Sequence, residues 1–176
     1  FNVLSYPKLY HNLKAAIKEV CTEARNPNIF YDDCPIPGEE MLRIVENREF
    51  SRLPSHMGNV AQEALETLLH TRDGQLCDIM IDKAALEAIR KAGKESGEPI
   101  IENYADTMVA IADIKIAVRS RKTGKSADFM RSAMAECDGV NVEQLIRAAL
   151  AGEDERKGDG QKWKSESGHV NLKSEN

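Results

Sequence analysis

The chain has 176 residues, a formal net charge of −5 and only 5% aromatic residues. A mildly acidic chain exerts no general pull on nucleic acid or on an anionic membrane, and so few aromatics point to close-packed helices with small aliphatic side chains rather than to a sheet-rich core. No apolar run reaches the about 18 residues of a membrane span, and the N-terminus lacks the charged-then-apolar pattern of a signal peptide.

Ser5 is an expected N-cap with Pro7 just inside, and Leu9, Leu13, Ile17, Val20 and Ala24 then recur at helical spacing until Asn26-Pro27 stops the run. Ile29, Phe30, Tyr31, Asp32, Asp33 and Cys34-Pro35-Ile36-Pro37 follow. The two prolines forbid a regular helix, so a loop pinned by its aromatics is expected. Pro37 with Glu39 and Glu40 makes a favourable helix start, and Met41, Leu42, Ile44 and Val45 form its buried side.

Past Pro54, Ser55 or Asn59 is expected to cap a helix whose Val60, Ala61, Ala64, Leu65, Leu68 and Leu69 share one face up to Thr71, with Asp73-Gly74 as its stop. Residues 75–93 read as helix rather than strand, because no second strand is available for pairing. A polar turn over 94–98 leads to the longest helix, from Pro99 to about Arg121. A further helix is expected over 126–137. The last begins at Asn141, where Asn-x-x-Gln resembles a capping box, and carries Val142, Leu145, Ile146, Ala149 and Leu150 as an apolar stripe.

The fold expected is therefore all-α, a single bundle of six or seven helices over residues 1–152 with an extended, polar C-terminal tail or docking arm over 153–176. Trp163, Val170 and Leu172 are the apolar points of that tail, and apolar anchors set in a polar segment suit docking on a protein partner or a second copy. Cys21, Cys34, Cys77 and Cys137 lie far apart with no C-x-x-C pair, which points to free thiols in a reducing, cytoplasmic setting.

Glu102, Asp106 and Asp113 fall within about 40° of one another on a helical wheel, an acidic stripe able to hold Mg²⁺ or to serve as the solvated face of its helix. Arg119, Arg121, Lys122 and Lys125 surround a glycine-containing turn before a helix start, a place where phosphate or a nucleic-acid backbone could be contacted. Lys115-Ile116-Ala117, nine residues, then Ala127-Asp128 with Arg131 and Ala133 resembles the second half of the helical nucleotide pyrophosphatases of the MazG type, including short phage-encoded relatives. That resemblance implies Mg²⁺ held by E-x-x-E on one helix and E-x-x-D on another. Glu63-x-x-Glu66 matches the first, and no E-x-x-D is present.

The function expected from these features is that of a non-catalytic protein–protein interaction or assembly protein of phage or viral origin, its C-terminal arm docking on a partner chain, with no cofactor and no membrane. Its alternatives are a Mg²⁺-dependent pyrophosphatase using Glu63, Glu66, Glu102, Asp106 and Asp113, and nucleic-acid contact through the basic loop, which the net charge disfavours.

Overall fold

The computed structural model describes residues 3–22 and 29–151. Among them stand seven α-helices and no strand: α1 (Tyr6–Thr22), α2 (Gly38–Glu46), α3 (Ser55–Thr71), α4 (Gly74–Glu95), α5 (Pro99–Thr123), α6 (Ala127–Ala133) and α7 (142–151). The expected all-α bundle is what forms, and residues 75–93 are helix. Trp163, Val170 and Leu172 lie outside the described residues.

Helix boundaries follow local chemistry. Pro54 occupies the N-cap position of α3, so neither Ser55 nor Asn59 caps it. Arg72, in the left-handed region at φ 57°, ends α3, and its N–H donates to the Leu68 carbonyl. Asp73 then begins α4 instead of closing α3, its side chain accepting the Leu76 N–H. Two residues thus reverse the chain between 17- and 22-residue helices. Gly124, at φ 64°, closes α5 in the same left-handed way; glycine adopts this conformation without the Cβ penalty.

α1, α2, α3 and α4 enclose the main core, built on Leu9, Leu13, Ile17, Met41, Ile44, Met57, Leu65, Ile81 and Ile89, which ends at Ala105 in the first turns of α5. α4 and α5 approach so closely that a Cβ on Gly93 would lie 2.5 Å from the Ala105 Cβ. A second core gathers Ala117 of α5, Met130 of α6, Met134, and Val142, Ile146 and Ala149 of α7. α5 is the one described helix that supplies side chains to both.

The loop before α2 is held by a residue whose role the sequence did not suggest. Asn12, fully buried on α1, accepts the Tyr31 N–H at 2.8 Å and donates to the Tyr31 carbonyl at 2.9 Å and the Ile36 carbonyl at 3.3 Å. Phe30 does pack on the core, but Tyr31 is 44% exposed, so a side-chain amide mimicking a strand partner holds what the aromatics were expected to hold.

Candidate functional site

α5 has two faces of different chemistry. The inner face carries Ala105, Val109, Ala110, Asp113, Ala117 and Ser120, all buried. Two of the three residues of the expected acidic stripe lie here, packed against protein. The Asp113 side chain is completely covered, and its Oδ1 accepts the Ala135 N–H at 3.1 Å. Two turns earlier, the Asp106 carboxylate accepts the Asp138 N–H at 2.6 Å and the Gly139 N–H at 2.8 Å.

These bonds explain why α6 stops at Ala133 while the sequence pattern runs on to Cys137. A continuing helix would send the Ala135 N–H to the Arg131 carbonyl. Instead Asp113 takes the N–H, and the Lys83 ammonium of α4 donates to the vacated Arg131 carbonyl at 3.2 Å. Residues 134–137 leave the helix and run along α5, and Asn141 then caps α7 by accepting the Gln144 N–H at 3.0 Å. Arg131 clamps α7 from the other side, its guanidinium donating to both Glu143 carboxylate oxygens at 2.7 and 3.1 Å.

Burial pushes the Asp113 carboxyl up to about 6, with the neighbouring Glu136 adding to the rise and the Ala135 N–H and Lys83 opposing it. Its second oxygen has no hydrogen-bond partner. The other candidate ligands stand apart. Glu102 is exposed in the first turn of α5, Glu63 is exposed on α3, and Glu66 accepts from Gln62 at 3.0 Å on α3's surface. Among the described residues no group of three or more His, Cys, Asp or Glu side chains is placed to hold a metal ion.

Arg119, Arg121 and Lys122 are exposed at the C-terminal end of α5. Lys125 is half-buried, its ammonium 5.0 Å from the centre of the Phe129 ring and donating to Gln75 at 3.3 Å.

The outer face of α5 is mostly apolar and partly exposed, with Thr107 among its apolar side chains. Ile100 is 82% exposed, and Tyr104, Ile111, Ile114 and Val118 are each between 41% and 49% exposed. At about 100° per residue these five side chains fall within an arc of about 80°, opposite the side that enters the core. Soluble proteins seldom leave a continuous apolar strip uncovered, so this is the surface on which function is to be sought.

The family model described as ATP synthase (C/AC39) subunit matches residues 1–157. The chain belongs to the ATP synthase (C/AC39) subunit family. No curated protein and no solved structure matches it. Membership corrects the functional expectations drawn from the sequence. An ATP synthase subunit is not a phage or viral assembly protein, and the MazG-like pyrophosphatase reading falls with it, as does the nucleic-acid alternative. The pyrophosphatase resemblance rested on about twenty residues of α5 and α6, and short helical motifs recur by chance; the family match spans most of the chain. As a subunit, an ATP synthase (C/AC39) protein assembles with other protein subunits. Among its described residues no helix is long and apolar enough to cross a membrane.

Proposed function

We propose that this chain is a packing subunit of an ATP synthase-type complex, contributing surfaces that hold neighbouring subunits in place and leaving nucleotide chemistry to them. The observation that carries the reading is the family match over residues 1–157. The uncovered outer face of α5 supports it, because a chain that works inside an assembly carries apolar surface that a solitary one would bury. The four free thiols support a reducing, cytoplasmic setting.

The test is isolation of the affinity-tagged chain from cells that make it, under conditions that keep large assemblies intact. The expected result is co-isolation with the other subunits of an ATP synthase in fixed stoichiometry, read by native mass spectrometry. Recovery of the chain alone, or with proteins unrelated to ATP synthesis, would overturn the proposal.

A further inference from the structure

The exposed strip on α5 has a spacing that a facing helix can match. Ile100, Tyr104, Thr107, Ile111, Ile114, Val118 and Arg121 occupy alternating a and d positions of a heptad, with Tyr104, Ile111 and Val118 at a and Ile100, Thr107, Ile114 and Arg121 at d. This spacing presents holes for the knobs of one facing α-helix. From Ile100 to Val118 the seam runs roughly 27 Å, enough for a partner helix of nearly three heptads.

Charge narrows the partner further. Lys115 and Lys122 sit at the e positions beside the seam and Arg121 closes it at d; all three are exposed, and among the described residues none has an ion-pair partner. The carboxylates of α5 itself cannot serve them, since Asp106 and Asp113 face inward on the 135–139 backbone. A covering helix that carries carboxylates at this end would complement the positive potential there.

Resting on the subunit reading above, we propose that the outer face of α5 docks a single amphipathic α-helix of a neighbouring subunit, apolar at its own a and d positions and bearing Glu or Asp opposite Lys115, Arg121 and Lys122. The strip is one side chain wide and heptad-spaced, which fits a helix. A lipid surface would call for a broader apolar face with cations along both flanks, and the first turn of α5 carries Glu102.

The experiment uses the full chain in its isolated complex, with a photoreactive phenylalanine analogue placed at position 111 or 114. Cross-linked peptides from another subunit, spaced at i, i+3, i+4 or i+7 in one segment with acidic flanking residues, are the expected result. Cross-links to a second copy of this chain, to lipid, or to scattered segments without helical spacing would overturn the proposal. In parallel, the Ile111→Asp, Ile114→Asp double variant is expected to lower co-isolation at least tenfold while largely keeping the wild-type circular dichroism melt, because neither side chain belongs to a buried core cluster. A Lys115→Glu, Lys122→Glu variant is expected to weaken co-isolation most at low salt. If the aspartate variant co-isolates as well as wild type, the docking face is refuted while the subunit reading stands. If the wild-type chain fails to co-isolate at all, both are refuted.

Discussion

A carboxyl group held completely out of water, with one oxygen bonded and the other bare, makes folding depend on pH at a single residue. Asp113 titrates at about 6 in the folded chain against 3.8 in the reference state, because burial penalises its charge. The folded form therefore binds the proton more tightly. The sign follows: between these two values stability falls as pH rises, and above about 6 the full cost of the buried charge is present. Asp113→Asn keeps an oxygen for the Ala135 N–H and removes the charge. The variant is expected to exceed wild type in stability at pH 7.5 by up to about 3 kcal/mol, with the gap closing as pH falls toward 4. Urea unfolding at several pH values measures it, and a gap that widens on acidification would refute the account. The buried Asn12 is the other residue whose role is set by contacts distant in sequence. Both are polar residues on apolar helix faces, and a sequence gives their position on the wheel without the backbone that comes to meet them.

Helix existence was legible because apolar residues recur at helical spacing in each segment, and Asn141 was recognisable as a cap from its short side chain and following Gln144. The end of α6 was not, since it depends on Asp113 and Lys83 capturing one backbone donor and one acceptor from other helices. The outer face of α5 was hidden for a different reason. Apolar residues surround most of this helix, which normally signals burial on all sides, and two of the three acidic residues that seemed to mark its solvated face, Asp106 and Asp113, are packed against the 134–140 segment. Close helix contact also sets what a substitution does. Gly93→Ala would raise helix propensity by about 1 kcal/mol in an isolated helix. In α4 the new methyl would meet Ala105 at 2.5 Å, forcing α4 and α5 apart. Overpacking of this kind costs roughly 1–3 kcal/mol, so a net fall in melting temperature is expected. A rise in calorimetry would show that the two helices can separate freely.

Among the described residues, three apolar clusters share one long helix. The largest joins α1, α2, α3, α4 and the start of α5, a smaller one depends on α6, α7, Met134 and the far end of α5, and between them along α5 Val109 and Ala110 pack with Ala135 and Cys137. Regions with fewer buried apolar contacts open at lower free energy. Amide hydrogen exchange is expected to show α6 and α7 exchanging through a partial opening that leaves α1, α3 and α4 protected. Uniform protection across both groups would mean the clusters melt as one. Fold class was readable from composition and periodicity, while membership in an ATP synthase subunit family was not, because no short motif in the chain announces it.

The same α5 residues that face outward are interleaved, turn by turn, with the aspartates that grip the segment leading into α7. Load applied to the outside of this helix would reach the segment leading into α7 through the hydrogen bonds that Asp106 and Asp113 accept from it.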